Sequence, residues 1–299
     1  MAARVAWRSS RAKQRPEETI KADRNIGREA SGRLRAERRP RKKSRGARSL
    51  FHAWPEVIAR LRKADSRALL LDFDGTLARL QPRPDDVLLA TGARRILRRL
   101  ALSKDLFVAV VSGRRLGTLQ TMIGVEGIHH VGLHGSERAG KSTVLGKRSR
   151  QDLLRAKRDA RSKMDALPGV WIEEKGLSFA VHYRGARPAI ALAADLILRE
   201  ILAPTRDTLR ILQGDKVWEV VPREVPGKGV AVRELLQGLP DKTAVMYFGD
   251  DETDEEAFTV LPGQITVRVG KANGTRANFY VRGPSEVLRF LVLLEKELQ

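Results

Sequence analysis

The stretch Ala68-Leu69-Leu70-Leu71-Asp72-Phe73-Asp74-Gly75-Thr76-Leu77 decides how the rest of the chain is read. Its first half, Ala68 to Phe73, is a near-continuous apolar run, the pattern of a strand covered on both faces as in a parallel sheet. Its second half sets Asp72 and Asp74 at the end of that strand, and Gly75 permits a bend that brings both acids to one ligand. Two unpaired carboxylates buried at a strand end are costly, so they serve little structural purpose. A divalent cation with a phosphate would resolve their repulsion. One carboxylate can then attack phosphorus while its neighbour handles the leaving-group proton.

Working outward, Leu106 to Val111 and Ala244 to Phe248 repeat the buried-strand pattern. Amphipathic stretches lie between them, such as Thr91 to Leu100, with Ile96, Leu97 and Leu100 on one side and Arg94, Arg95 and Arg98 on the other. This alternation predicts an α/β doubly wound core whose ligands gather at the carboxyl ends of the strands. The middle of the chain breaks the rhythm. A helix over Asp152 to Leu167 is followed by two strands, Val170 to Glu174 and Leu177 to Tyr183, turning at Lys175-Gly176. A second helix, Pro188 to Leu202, is followed by Thr208 to Gln213 and Lys216 to Val221, turning at Gly214-Asp215. The expected organisation is a core over residues 51–138 and 223–299, with an inserted αββαββ domain over 139–222 hinged near Gly140 and Pro222.

A second acidic cluster, Gly249-Asp250-Asp251-Glu252-Thr253-Asp254-Glu255, again follows an apolar strand and suits a hard ion such as Mg²⁺. Taken alone it also reads as an acidic helix N-terminus. Ser112-Gly113-Arg114 follows another strand, where a hydroxyl and backbone N–H groups can cradle phosphate. Pro226-Gly227-Lys228-Gly229 opens a helix-like stretch, Val230 to Leu236, and offers Lys228 as a counter-charge. It lacks the spaced glycine and the Ser/Thr of a P-loop.

In this order the four motifs resemble those of the haloacid-dehalogenase (HAD) superfamily of phosphatases, from about Ala68 to the C-terminus. The resemblance implies a HAD-like Rossmannoid core with a parallel sheet and an inserted α/β cap. It implies Asp72 as the nucleophile that forms an aspartyl-phosphate, Asp74 as general acid/base, and Ser112 and Lys228 as holders of the transferring phosphoryl group. It further implies Mg²⁺ on Asp72, Asp250 and the main-chain carbonyl of Asp74, with Asp251 and Asp254 as supporting ligands or orienters. Phosphoryl transfer needs positioning and charge neutralisation above all, which such a set supplies.

The substrate is to be decided by the inserted domain. Gly132-Leu133-His134-Gly135-Ser136-Glu137, Glu173-Glu174-Lys175-Gly176-Leu177-Ser178 with Val181-His182-Tyr183-Arg184, and Lys216-Val217-Trp218-Glu219-Val220-Val221-Pro222 are similar to segments of trehalose-6-phosphate phosphatases. Three positions depart from that pattern: Ser136 stands for Ala, Glu174 for Asp, and Gly227 for Asn. The resemblance implies hydrolysis of trehalose 6-phosphate. A disaccharide has many hydroxyls and little apolar surface, so charged hydrogen bonders should line its site. Lys175 and Glu219, with Glu173 or Glu174, are the first candidates. His182 and Arg184 are expected to share one strand face, and Arg114 and Lys216 are further candidate contacts. His134 reads first as a hinge or core hydrogen bonder and second as a sugar contact. Trp171 and Trp218 read as cap core. Sucrose phosphate and mannosylglycerate phosphate are the rival esters.

Composition bounds the remaining classes. The 299 residues include no Cys, which excludes disulfides, thiolate zinc sites and a Cys nucleophile. No apolar run approaches the roughly 18–20 residues that span a bilayer. The formal charge is +21, and 12 of that excess falls in residues 1–50, with 17 Lys and Arg against 5 Asp and Glu. Few large apolar residues occur there, so this segment is expected to be a disordered, solvated extension. It could also be an arm for anionic lipid or nucleic acid, which gives the rival reading of a nucleic-acid-binding protein with an idle core. Base-stacking aromatics are missing from it apart from Trp7. No secretory h-region is visible, so a cytoplasmic monomer acting on a small sugar phosphate is expected.

Overall fold

The computed structural model describes residues 46–298. The expected disordered extension therefore lies outside the described residues up to position 45. In chain order the first elements are β1 (Arg48–Ser49), α1 (Trp54–Lys63), β2 (Ser66–Leu71), α2 (Ala93–Ala101), β3 (Leu106–Val111), α3 (Leu116–Ile123) and β4 (His129–Gly132). A short hairpin, β5 (Glu137–Arg138) and β6 (Lys141–Ser142), leads to α4 (Lys147–Met164), β7 (Trp171–Glu174), β8 (Phe179–His182), α5 (Pro188–Leu202), β9 (Leu209–Gly214) and β10 (Val217–Pro222). The chain finishes with α6 (Lys228–Leu236), β11 (Thr243–Gly249), α7 (Asp254–Val260), β12 (Ile265–Val269), β13 (Phe279–Val281) and α8 (Pro284–Glu297).

Alternate residues of β2 serve two different cores, which explains its unbroken apolar run. Leu69 and Leu71 join a cluster with Val57, Leu97 and Phe290 from α1, α2 and α8. Ala68 and Leu70 join Val232, Ala257 and Phe258 from α6 and α7. The large sheet runs β1-β13-β12-β11-β2-β3-β4-β5-β6 and is parallel from β1 to β4 in that order. The chain moves outward from β2 through β3 and β4, then returns after the insertion to β11 on the other flank of β2. The strand order thus reverses between β2 and β11, where open α/β sheets bind ligands.

The inserted unit has the expected αββαββ order, with an antiparallel sheet β7-β8-β10-β9. Phe179, Val181, Trp218 and Val220 of the sheet meet Ala156, Ala160 and Met164 of α4 and Ala194 and Leu198 of α5.

Several boundaries differ from the sequence reading. Order begins before residue 51: Arg48 and Ser49 pair with Phe279 and Tyr280 of β13, and Leu50 is fully buried. One apolar side chain and an open sheet edge are enough to hold that segment. Helix α4 starts at Lys147 rather than Asp152, because Ser149 Oγ donates to Glu224 Oε1 (2.6 Å) and ties the first turn to the chain beyond β10. It also ends earlier, at Met164. Strand β8 ends at His182, so Arg184 does not share a strand face with it. The Arg184 guanidinium turns to the β9–β10 turn instead, donating to the Asp215 main-chain oxygen (2.7 Å) and Oδ2 (2.8 Å). Trp218 is buried as expected, stacked on Tyr183 at 4.0 Å. Trp171 is not core: it is 39 % exposed and lies flat on His182, ring centroids 3.9 Å apart.

Candidate active site

The ends of β2 and β11 and the starts of α6 and α7 deliver charged groups to one point. Asp72 follows β2 directly, and its N–H still donates to Phe248 O of β11 (2.9 Å), which fixes its place at the sheet edge. Lys228, the first residue of α6, donates to Asp72 Oδ1 and Asp254 Oδ1, each at 2.8 Å. All three side chains are buried. Burial alone would discharge Lys228, but Asp254 and Asp72 outweigh it and hold its pKa well above the ordinary ammonium value. Burial pushes the Asp72 carboxyl up to about 8; Lys228 opposes the shift, and Asp254 and Asp251 add to it.

Asp254 opens α7 and accepts four hydrogen bonds. Lys228 Nζ and Tyr247 Oη (2.7 Å) donate to Oδ1, and the Asp250 and Asp251 N–H groups donate to Oδ2 at 3.0 and 3.1 Å. Four donors use the lone pairs of both oxygens. These contacts tie Asp254 to the loop after β11 and to the first turn of α6. Asp254→Asn would set an amide N–H₂ against two donors. It is expected to lower stability by about 1–3 kcal/mol, read by denaturant unfolding; unchanged stability would show that these bonds are not made together.

Carboxylate oxygens of Asp72, Asp250 and Asp254 lie within 4.8 Å of one another. Burial raises Asp250 well above the ordinary carboxylate range, and Asp72, Asp251 and Asp254 push it further. Gly75 makes this approach possible: its φ is +79°, and a Cβ there would collide with the Asp250 carboxylate. Asp251 is turned toward the start of α7, where its Oδ1 accepts from Thr253 N (2.8 Å) and Oγ1 (2.6 Å).

Asp74 meets Arg114 in a two-pronged ion pair, Nε to Oδ2 and Nη2 to Oδ1, both 2.7 Å. Nη2 also donates to Pro84 O (2.8 Å), and the guanidinium stands over Phe73. Arg114, read from sequence as a substrate contact, lines the cleft and is also paired with the Asp74 carboxylate. Ser112 is buried beside it on the cleft.

The inserted sheet closes the cleft from above. Glu219 Oε2 accepts from Lys175 Nζ (2.9 Å) and His134 Nε2 (3.1 Å), and Oε1 accepts from Ser178 Oγ (2.7 Å). Burial would raise Glu219, but Lys175 and His134 outweigh it and hold it far below the ordinary range. Glu173 Oε2 pairs with His182 Nε2 at 2.8 Å. Between the two sheets lies a cavity of about 160 Å³, whose lining includes Asp72, Asp74, Ser112, Arg114, His134, Glu173, Lys175, His182, Arg184, Glu219, Lys228, Asp250 and Asp251.

Three residues singled out from sequence do not line it: Asp254, fully buried against Lys228, and Glu174 and Lys216. Glu174 is exposed and pairs with Lys157 and Arg161 of α4, since alternate residues of β7 face opposite ways. Lys216 sits in the β9–β10 turn with its ammonium 5.9 Å above the Tyr183 ring. Sequence reasoning missed Ser178 and Asp215, although the first stands inside a motif it quoted and the second in a turn it quoted. It also missed Tyr247, the one hydroxyl in the Ala244–Phe248 run, and the Leu80–Val87 segment on the cavity rim. Among the described residues no helix is long and apolar enough to cross a membrane.

The trehalose-phosphatase family model matches residues 70–284. The trehalose-phosphate phosphatase of Mycobacterium ulcerans (strain Agy99) is 32% identical over 246 residues, 77% of this chain and 62% of the relative. That of Mycobacterium tuberculosis (strain ATCC 25618 / H37Rv) is 31% identical over 268 residues, 82% and 66% respectively. The chain thus spans a little under two thirds of the length of these relatives. In fold it is similar to the C-terminal domain of C. albicans trehalose-6-phosphate phosphatase, with a TM-score of 0.72 and 23% identity over 84% of this chain and 99% of that one. A trehalose-6-phosphate phosphatase related protein gives a TM-score of 0.63 at 24% identity over 77% and 97%.

Proposed function

The chain belongs to the trehalose-phosphatase family, and on that premise we propose that it hydrolyses trehalose 6-phosphate to trehalose and inorganic phosphate through an aspartyl-phosphate. The carrying observation is that the buried Asp72–Lys228–Asp254 bridge and the Glu173, Lys175 and Glu219 side chains open on one cleft.

Lys228 engages Asp72 Oδ1, which leaves Oδ2 to attack phosphorus. The P–O bond to the sugar breaks as the acyl-phosphate bond forms, and Asp74 gives its proton to the departing sugar oxygen. Asp74 then takes a proton from water, whose oxygen attacks phosphorus and releases phosphate and the Asp72 carboxylate. Arg114 keeps Asp74 aimed through both steps. Lys228 and Ser112 steady the phosphoryl oxygens. Asp72, Asp250 and the Asp74 main-chain carbonyl fit a hard divalent cation, because two buried, mutually repelling carboxylates need a positive partner; Mg²⁺ there would neutralise phosphate charge.

Glu173, Lys175 and Glu219 supply the acceptors and donor for sugar hydroxyls. The cavity is smaller than the roughly 300 Å³ at which ligand pockets begin, so the cap must swing open to admit a disaccharide and then exclude water on closing. The direct test is phosphate release from trehalose 6-phosphate, sucrose phosphate and mannosylglycerate phosphate, each with Mg²⁺ and with a chelator. Preference for either rival ester would overturn the substrate assignment. Glu219→Gln is expected to raise KM for trehalose 6-phosphate roughly ten- to a hundredfold, the effect of losing a bond to a charged group, while p-nitrophenyl phosphate turnover stays close to the parent. Equal losses on both substrates would remove Glu219 from sugar recognition.

A further inference from the structure

We propose that His134 is a positioning residue, a wedge from the core that holds the cap carboxylate Glu219 in register with the phosphate-holding turn Ser112–Arg114. The inference rests on the trehalose 6-phosphate reading of the cleft and adds a coupling between its two halves: sugar recognition is assembled only where the cap meets the phosphate site.

The backbone is the first argument. Leu133 and His134 have φ of 44° and 53°, two successive non-glycine residues in the left-handed region. Such a pair is costly and persists only where its surroundings impose it. The imposing contacts come from the turn itself: Leu133 N donates to Arg114 O (2.8 Å) and His134 N to Ser112 O (3.0 Å). The loop therefore rides on the turn, and any shift of one moves the other.

The imidazole is the second argument. It lies against Gly113, where a Cβ would come within 2.7 Å of His134 Cε1 and Nε2. Only a residue without a side chain lets the ring reach past the turn to the cap. Nε2 then meets Glu219 Oε2 at 3.1 Å, while Nδ1 is buried and has no partner among the described residues. A carboxylate can only accept, so Nε2 carries the hydrogen of this bond. The one hydrogen bond its ring makes goes to the cap.

Glu219's other cation closes the link. Lys175 Nζ, which donates to Glu219 Oε2, also stands 3.5 Å from Gly113 O. Both donors that orient the Glu219 carboxylate from the cleft side thus touch the same glycine, one on its Cα face and one on its carbonyl.

Two variants separate side chain from backbone. His134→Asn suits the left-handed conformation, since asparagine is enriched there, but is too short to reach Glu219. His134→Gln keeps the reach and an N–H donor. For His134→Asn we expect KM for trehalose 6-phosphate to rise roughly ten- to a hundredfold. Its kcat, and p-nitrophenyl phosphate turnover, should stay within about twofold of the parent. His134→Gln should recover most of the lost KM. Equal loss on both substrates, an unchanged KM, or a glutamine variant no better than asparagine would each overturn the proposal. A parent enzyme that hydrolyses p-nitrophenyl phosphate but no trehalose 6-phosphate would instead overturn the substrate reading, and the same variants would then be measured on whichever sugar phosphate the panel selects.

Discussion

Asp72→Asn should release no measurable phosphate from trehalose 6-phosphate, a loss on the order of 10⁴-fold or more, while folding at least as stably as the parent. The first half follows from removing the attacking carboxylate and keeping its shape. The second half follows from burial. With the carboxyl pushed up to about 8 from an ordinary 3.8, the folded chain holds a proton that the unfolded chain has already released. As pH rises from about 4 to 8 the unfolded state therefore binds fewer protons, and the parent loses stability across that window. Asparagine has no such proton to hold, and Lys228 keeps Asp254 as a partner. In chelator, the stability advantage of Asp72→Asn should grow between about pH 4 and pH 8, measured by denaturant unfolding at several pH values. An advantage that shrinks with pH would mean that Asp72 is stabilised as an anion, and residual turnover within tenfold of the parent would exclude it as nucleophile.

Lys228→Met is expected to inactivate by the opposite energetic route. The change keeps most of the side-chain volume but leaves Asp72 and Asp254 facing each other without the ammonium that each contacts at 2.8 Å. Breaking a buried ion pair from one side costs about 3–5 kcal/mol, because the remaining charge stays buried and uncompensated. Activity should fall by two to three orders of magnitude or more, as for other preorganised charge contacts to a transition state. Adding Asp72→Asn to Lys228→Met removes one of the stranded carboxylates, so the double variant should be more stable than Lys228→Met alone. Additive losses in this cycle, or a Lys228→Met chain as stable as the parent, would show that the bridge is not an energetic unit. On the proposed mechanism Asp72 costs stability in order to do chemistry, and Lys228 contributes to both.

The catalytic face was legible from residues 68–77 and 249–255 because its logic is local. Strand end, acid and glycine follow one another in the chain, and a buried strand betrays itself by an unbroken apolar run. The division of labour among the acids was not legible. Asp250, Asp251 and Asp254 are alike in sequence, and only their partners distinguish them: Asp250 faces Asp72, Asp251 is taken up by Thr253, and Asp254 by Lys228, Tyr247 and two peptide N–H groups. Glu173 and Glu174 differ in the same way, one facing His182 in the cleft and the other Lys157 on α4. Strand alternation guarantees that neighbouring residues part, but the sheet's covering helices decide which of them faces the cleft.

What the amino-acid order determined alone is therefore the core strands β2, β3 and β11, helices α2 and α6, the αββαββ insertion, and the chemical kind of each group at the strand ends, since these depend on periodicity and on neighbours a few residues away. The tertiary structure decided the rest: that β11 returns beside β2, that Arg114 pairs with Asp74, that Arg48 and Ser49 pair with β13, and that His134 reaches from core to cap. Each of these joins residues dozens to more than two hundred positions apart. No local pattern records such a meeting, because the free energy that selects it arises only when both surfaces are buried together.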